Sequence, residues 1–218
     1  MAGHQPNYLP WLGFFDKMRG CDVFIIEDIV QYVHKEFQNR NRIKTPNGVQ
    51  WLTVPVREGG KRKPISDVEI TNDQNWTERH WLTLMHSYAS APYWKAYNNF
   101  FRDAYSQKWI RLIDLNMHLI KGIMNFLDID TKIVLASNLG VSGKKNDLLI
   151  SQCKALGADT FLSGAGGKDY IDVERFGQEG LKVIFQDFQY PVYPQLWGEF
   201  VPNLSIVDYL FCACKDIR

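Results

Sequence analysis

Short apolar runs alternate with stretches of helical periodicity in the last third of the chain. The apolar runs at 132–136, 160–162 and 181–185 are short enough to be buried strands. Between them, segments 146–156 and 173–178 carry apolar residues at helical spacing. A strand, helix, strand, helix, strand order requires right-handed parallel crossovers. The pattern therefore predicts an α/β fold, a mostly parallel Rossmann-like sheet with helices on both faces.

Apolar runs in the first quarter of the chain add strands to this prediction. Residues 23–26 and 51–56 are each predicted to form a buried strand of the same sheet. Only three residues precede His4, so a strand leading into His4 is either very short or cut by the recorded start.

The middle of the chain has a different periodicity. Between Trp76 and Leu127, apolar residues recur at intervals of three and four, with breaks near Pro92 and Ser106. This pattern predicts two or three helices. We interpret 74–130 as an all-helical insertion within a single α/β domain of residues 1–218.

The opening segment, residues 3–17, places polar residues between two prolines at a predicted strand-to-helix turn. Because proline lacks an N–H and fixes φ, Pro6 and Pro10 make the residues between them a rigid loop. A helix is predicted from Trp11 to Arg19. We expect the loop to present four polar side chains to a ligand, those of His4, Gln5, Asn7 and Tyr8. In the alternative, the polar residues only cap the helix and the aromatic ones belong to the core.

Polar residues also follow four of the other predicted strands, those at 23–26, 132–136, 160–162 and 181–185. Such residues meet at the carboxyl edge of a parallel sheet, where ligands bind, although polar residues are also ordinary in loops. The groups that we expect to converge are His4, Asp28 with Gln31, Ser137 with Asn138, Ser163 with Gly164, and Gln186 with Asp187.

Charge and composition exclude several classes of protein. Lysine plus arginine (25) and aspartate plus glutamate (24) nearly balance, which argues against a nucleic-acid or membrane-surface binder. No signal-like run opens the chain and none approaches the roughly 20 apolar residues of a membrane span, so a cytoplasmic protein is expected. The sequence Cys212-Ala213-Cys214 lacks the spacing of a zinc site, and no metal is expected.

Local charge nevertheless points to an anionic partner. Residues 34–44 hold four Lys or Arg against one Glu, and residues 57–63 have the same balance. Arg40 and Arg42 are the candidate phosphate ligands, because the guanidinium fork matches phosphate geometry. The loop 57–63 is more simply a solvated hairpin with edge-protecting lysines.

A glycine-rich loop, Ser163-Gly164-Ala165-Gly166-Gly167-Lys168, follows the run at 160–162. Its glycines would let the backbone approach a diphosphate. The loop matches neither a Walker motif nor a Rossmann fingerprint, so by itself it is a weak signal. The cofactor stays unassigned, with ATP as one candidate.

Four blocks of the sequence resemble the WbqC-like protein family and together span nearly the whole chain. They are the run from His4 to Gly13; Asp22-Val23-Phe24 with Asp28, Val30, Gln31 and Tyr32; Asn39-Arg40-Asn41-Arg42-Ile43-Lys44 with 51–56; and 156–164 with Lys168-Asp169-Tyr170. The resemblance implies an association with gene clusters for O-antigen and other surface polysaccharides, and glycine transfer is proposed for some members. We therefore expect an enzyme that transfers or ligates an aminoacyl group such as glycine onto a sugar or nucleotide-sugar.

Such a transfer needs a base for the amine proton and donors for the developing oxyanion. His4 is the predicted base because its ordinary pKa is near neutral, and Asp28 would orient it or bind a sugar hydroxyl. Lys168 and Asp169 complete the predicted catalytic set. The residues predicted to bind a small, phosphate-bearing sugar nucleotide are Gln5, Asn7, Tyr8, Trp11, Gln31, Asn39, Arg40, Asn41, Arg42, Ser163, Gly164 and Tyr170.

Two other functions remain open. The histidine-containing turn and the later glycine loop are similar in plan to adenylate-forming nucleotidyltransferases, although the second histidine of their signature is missing. In that case ATP would activate a carboxylate and release pyrophosphate. In the other case, the chain is a non-catalytic protein that binds a nucleotide-sugar or glycan on its aromatic side chains.

Overall fold

The computed structural model of the protein describes residues 1–59 and 63–214, so Lys61 and Arg62 of the predicted basic loop lie outside the described residues. In chain order the strands and helices are β1 (Ala2–His4), α1 (Leu12–Arg19), β2 (Val23–Ile26), β3 (Arg40–Thr45), β4 (Gly48–Thr53), α2 (Trp76–Tyr88), α3 (Trp94–Ser106), α4 (Leu112–Phe126), β5 (Lys132–Leu135), α5 (Asn146–Ala155), β6 (Thr160–Ser163), α6 (Val173–Gln178), β7 (Lys182–Phe185) and α7 (Ile206–Ala213). The chain divides into two compact units. Unit 1 comprises Met1–Gln5, Gly13–Val30 and Ile129–Gln189, and unit 2 comprises Pro6–Leu12, Gln31–Asp128 and the chain from Tyr190 onward.

Unit 1 is a parallel five-stranded sheet in the order β5-β2-β1-β6-β7. Helix α1 covers one face, where the rings of Phe14 and Phe24 pack edge to face with centroids 5.2 Å apart. Successive strand residues point to opposite faces, so Ile25 points to the other face. There it joins a core with Cys153 of α5 and Phe176 of α6. The predicted α/β, Rossmann-like fold with helices on both faces is confirmed.

The strand order changes direction at β1. The chain passes from β1 to β2 and later β5 on one side, then crosses to β6 and β7 on the other. Although β1 has only three residues, it pairs on both sides, with Gly3 opposite Ile25 and Ala2 opposite Leu162. The carboxyl edge of a parallel sheet at such a switch point is the usual place for a ligand.

The all-helical insertion predicted in the middle of the chain is present as α2, α3 and α4 in unit 2. Helices α3 and α4 approach closely at Gly122, where an added Cβ would lie 2.1 Å from the ring of Phe100. Position 122 therefore admits no side chain while Phe100 keeps its place. None of the helices in the described ranges is both long and apolar enough to cross a membrane.

The prediction that residues 51–56 form a buried strand of the main sheet is wrong. Strand β4 ends at Thr53 and pairs antiparallel with β3 in a separate hairpin of unit 2, closed by a turn at Pro46-Asn47. Leu52 is the one β4 residue that is buried. The apolar run is therefore the end of an amphipathic strand. Periodicity over so few residues does not distinguish an amphipathic strand from a buried strand of the main sheet.

The segment between Pro6 and Pro10 packs inward rather than presenting its side chains. Tyr8 is fully buried, and its hydroxyl hydrogen-bonds to Nδ1 of His80 at 2.8 Å and to the Tyr105 hydroxyl. Asn7 is buried as well. The prediction that this loop presents Asn7 and Tyr8 is wrong, and the alternative in which the aromatic residue belongs to the core is the correct one for Tyr8.

Buried amide side chains explain how this proline-flanked segment is stabilised. Asn116 donates from Nδ2 to the carbonyl oxygens of Pro6 at 2.9 Å and Gln38 at 2.8 Å, and it is fully buried. Asn41 donates from Nδ2 to the Leu9 carbonyl oxygen at 2.6 Å. A buried carbonyl without a partner is costly, so these amides make the loop conformation possible.

We expect Asn116→Ala to destabilise the protein by about 2–4 kcal/mol, because two buried carbonyl oxygens lose their donor. Urea unfolding followed by circular dichroism measures the change. The matched control is Asn99→Ala, which alters an exposed residue of α3 and should change stability by less than about 0.5 kcal/mol. Equal stability of the two variants would contradict the role assigned to Asn116.

Candidate functional site

A cavity of about 470 Å³ lies in unit 1 at the carboxyl ends of β1, β2 and β6. This is the switch point of the sheet, and the volume is in the range of small-molecule sites. Two lysines, one glutamate, one histidine and one tyrosine carry the ionisable groups of the lining residues. The residues that line it are Gly3, His4, Gln5, Lys17, Glu27, Val30, Lys145, Leu148, Leu149, Phe161, Ser163, Gly164, Gly166, Gly167 and Tyr170.

Lys17 places a buried ammonium group at this cavity. The side chain comes from α1, is only 5% exposed, and donates from Nζ to the Gly3 carbonyl oxygen at 2.9 Å. Burial lowers the pKa of Lys17 to about 8, while the charge of Glu27 opposes the shift. No carboxylate of residues 1–59 or 63–214 forms an ion pair with it. A buried cation without a counter-ion is costly, and an anionic ligand would relieve that cost.

His4, at the end of β1, is neutral in this environment. Burial and then the charge of Lys17 lower the pKa of His4 to about 3, and a hydrogen bond to the Gln5 carbonyl opposes them. Nδ1 donates to the Gln5 carbonyl oxygen at 3.0 Å, so in the neutral ring Nε2 carries the free lone pair. The ring packs edge to face on Phe14 at 5.1 Å. His4 is thus a fixed hydrogen-bond acceptor beside a cation.

The glycine loop forms the β6 side of the cavity. An added Cβ at Gly167 would lie 1.9 Å from Oγ of Ser163, so only glycine fits there. Oγ of Ser163 donates to the Gly164 carbonyl oxygen at 3.0 Å. An added Cβ at Gly164 would lie 3.8 Å from Nζ of Lys17. The loop backbone and the Lys17 ammonium therefore border the same space.

Glu27 lies on the β2 side with its carboxyl group largely buried. Burial raises the pKa of Glu27, and the hydrogen bond from Nε2 of Gln152 to Oε2 at 3.0 Å opposes the shift. The other oxygen, Oε1, would lie 3.0 Å from an added Cβ at Gly3. A side chain at position 3 would therefore press on this carboxyl group.

The predicted site residues of unit 1 fall into two groups. Five of them line the cavity, namely His4, Gln5, Ser163, Gly164 and Tyr170. Asp28 accepts from Ser137, from the backbone N–H at 2.9 Å and from Oγ at 2.7 Å. Lys168 and Asp169 are exposed at the end of the glycine loop, and neither is among the lining residues in the described part of the chain. The structure thus brings the predicted residues at the ends of β1 and β6 together around the cavity. Asp28 is instead hydrogen-bonded to Ser137, which is not among the described residues that line the cavity.

The other predicted residues belong to unit 2, and several of them support its backbone. Asn39 donates from Nδ2 to the Val54 carbonyl oxygen at 2.8 Å, and Asn41 holds the proline-flanked segment. Trp11 stacks on Tyr190 with ring centroids 6.4 Å apart. Gln31 is exposed and bridges to Pro64.

Arg40 and Arg42 lie on one face of the hairpin, with their guanidinium groups 4.1 and 5.8 Å from the centre of the Trp51 ring. Arg40 donates to the Lys35 carbonyl oxygen, and Arg42 donates to the Asn203 carbonyl oxygen at 3.3 Å. They form a cationic and aromatic surface of unit 2.

Sequence reasoning missed Lys17, Glu27 and Gln152. A signal for Lys17 was present, because it lies between Phe14 and Met18 on the apolar stripe of α1. Glu27 directly follows the apolar run of β2, which is the position that the carboxyl-edge rule selects. Gln152 carries no such signal, since a polar residue in an amphipathic helix is ordinary.

Comparison with known proteins agrees with the resemblance of the four sequence blocks. The model of the WbqC-like protein family matches residues 5–218. The uncharacterized protein Rv1507c of Mycobacterium tuberculosis is 33% identical over 209 residues, which cover 95% of this chain and 90% of that protein. No solved structure matches the chain. Membership is compatible with a role in polysaccharide biosynthesis. The chain belongs to the WbqC-like protein family.

Proposed function

We propose that this protein is an enzyme of surface-polysaccharide biosynthesis that transfers an aminoacyl group, such as glycine, to the amine of a nucleotide-sugar. The substrate would lie in the cavity at the switch point of unit 1, with its phosphate groups near Lys17. The observation that carries the proposal is the Lys17 ammonium, which is buried beside a glycine loop and forms no ion pair with a carboxylate of the described residues.

The ligand class follows from the chemistry of the lining. Lys17 and Lys145 supply positive charge, and glycine residues let the loop backbone come close to phosphate oxygens. A phosphate near Lys17 would offset the lysine charge, which is one of the causes of the low pKa of His4. Binding of the substrate would therefore raise the pKa of His4 and make it a stronger base.

The proposed reaction uses the free lone pair on Nε2 of His4. The sugar amine attacks the acyl carbon of an activated aminoacyl ester or adenylate, so that a C–N bond forms and the bond to the leaving group breaks. Nε2 takes the amine proton and returns it to the leaving group. If the donor is an adenylate made by this protein, ATP is consumed and pyrophosphate is released.

Uridine diphosphate should raise the melting temperature of the protein at pH values below the Lys17 pKa of about 8. The effect should fade as the pH rises past that value, because the neutral amine no longer attracts the anion. Thermal unfolding with and without uridine diphosphate, across this pH range, measures the effect.

Lys17→Met provides the matching test. Below the pKa of Lys17, the folded protein holds a buried charge that the unfolded chain solvates, so the variant without ligand should be more stable than the parent. It should also lose the response to uridine diphosphate. Lys121→Met, at an exposed position of α4, should keep that response. An unchanged response in Lys17→Met would contradict the assigned anion site.

His4→Gln should lower the rate of aminoacyl transfer by about 10²-fold, because glutamine accepts a hydrogen bond but does not take up the proton. Labelled glycine, ATP and a set of uridine diphosphate amino sugars serve as substrates, and both labelled product and pyrophosphate are measured. The response to uridine diphosphate should persist in this variant, and His34→Ala, at an exposed position, should keep full activity.

The same assay separates transfer from binding alone. A parent protein that responds to uridine diphosphate but yields neither labelled product nor pyrophosphate with any donor would favour the nucleotide-sugar binding protein over the enzyme. Full turnover by His4→Gln would rule out His4 as the base.

A further inference from the structure

Strand β4 has an edge that the hairpin does not use. Thr45 and Gly48 flank the two-residue turn and form its closing hydrogen-bonded pair. Because antiparallel pairs alternate, the next residues along β4 with outward-facing backbone groups are Val49 and Trp51. In the described part of the chain, neither has a backbone hydrogen-bond partner.

Several of the equivalent backbone groups on β3 have partners. The carbonyl oxygen of Arg42 accepts from the backbone N–H of Ser205 at 2.8 Å. The backbone N–H of Lys44 donates to the hydroxyl of Tyr88 at 3.0 Å. Among residues 1–59 and 63–214, one edge of the hairpin is therefore covered within unit 2, and the other is open for most of its length.

A groove of about 670 Å³ lies along this open strand. We call it the β4 groove. Strand β4 and its turn line one side, and a single face of α2 lines the other, with Arg79, Leu82, Thr83 and His86 at helical spacing. At one end of the groove lie His80 of α2 and Thr53 of β4. The groove thus offers a strand edge facing a helix.

The β4 groove and its rim are both apolar and basic. Val49 and Trp51 are 45% and 39% exposed, which is high for large apolar side chains. Arg40 and Arg42 surround the Trp51 ring, and Arg79 lies in the groove itself. No acidic side chain is found among the described residues that line the groove.

We propose that the β4 groove binds an extended acidic peptide segment of a partner protein, which adds to β4 as a third strand. The free backbone groups of Val49 and Trp51 would pair with the peptide backbone, as in other cases of strand addition. Alternate peptide side chains would face the exposed apolar surface and the arginines. This interaction is independent of the activity proposed for unit 1.

Charge and backbone geometry favour this occupant over two others. In a pair of identical chains joined edge to edge, the arginines of one copy would meet those of the other, which is unfavourable. An anionic glycan would satisfy the arginines, but it has no regular backbone donors and acceptors to match the alternating groups of β4.

The test uses the full-length protein and a fluorescein-labelled peptide of about eight residues that alternates valine and glutamate, a length typical of strands. Fluorescence anisotropy measures its affinity. The matched peptides are one with lysine in place of glutamate and one with N-methyl groups on alternate residues, in both registers. We expect binding of the glutamate peptide, at least about tenfold weaker binding of each N-methylated form that blocks the paired register, and none of the lysine peptide.

Three substitutions test whether the peptide lies in the β4 groove. Val49→Pro removes one outward N–H without removing a hydrogen bond of the hairpin, so it should weaken binding by about tenfold. Val49→Thr keeps the N–H and nearly the volume of valine, so it should bind the peptide more tightly than Val49→Pro. Arg79→Glu should lose the glutamate peptide and gain the lysine peptide. Circular dichroism and thermal unfolding confirm that each variant is folded.

Several results would overturn the proposal. If the N-methylated peptides bound as tightly as the unmodified glutamate peptide, the contact would depend on charge alone. Failure of the glutamate peptide to bind would exclude an acidic strand as the occupant. Tighter binding of a hyaluronan oligosaccharide that is lost in Arg79→Glu would assign the groove to a glycan. Concentration-dependent dimerisation that is lost in Val49→Pro would assign it to a second copy. None of these results depends on the outcome of the uridine diphosphate or transfer experiments.

Discussion

Burial of the Lys17 ammonium is the constraint on which the arrangement of unit 1 at the carboxyl edge of its sheet depends. The charge is held by the Gly3 carbonyl oxygen at the end of the central strand, and no ion pair within the described residues compensates it. The same charge helps to keep His4 neutral. One buried cation therefore links α1, which carries it, to β1 through the Gly3 carbonyl oxygen and to the protonation of His4.

The parallel sheet was predictable because its strands carry short apolar runs with helices of clear periodicity between them. The residues at the carboxyl edge of the sheet were predictable for the same reason. Three of them, His4, Ser163 and Gly164, line one cavity. The hairpin was not predictable, since six residues around Trp51 fit both a sheet-core strand and an amphipathic one. An apolar run of this length is too short to show which kind of strand it forms.

Polar side chains were harder to interpret than apolar ones. The side-chain N–H groups of Asn41 and Asn116 donate to backbone carbonyl oxygens, so in this fold they stabilise the chain. Pro6 and Pro10 have no N–H and interrupt the regular backbone pairing of this segment, so side-chain amides donate to its carbonyl oxygens instead. The sequence shows that a polar residue is present but not which atom it faces. For this reason Tyr8 was expected at a surface, whereas it lies in the core.

The contact between Gly122 and Phe100 restricts how the helical part of this family can change its sequence. Glycine within a helix costs about 1 kcal/mol relative to alanine, yet alanine at position 122 would collide with the ring. The helix can recover that free energy only after the aromatic side chain on α3 has become smaller. Relatives should therefore carry either glycine at position 122 with a large side chain at position 100, or a small side chain at 122 with a smaller residue at 100. A substitution at only one of the two positions should be rare.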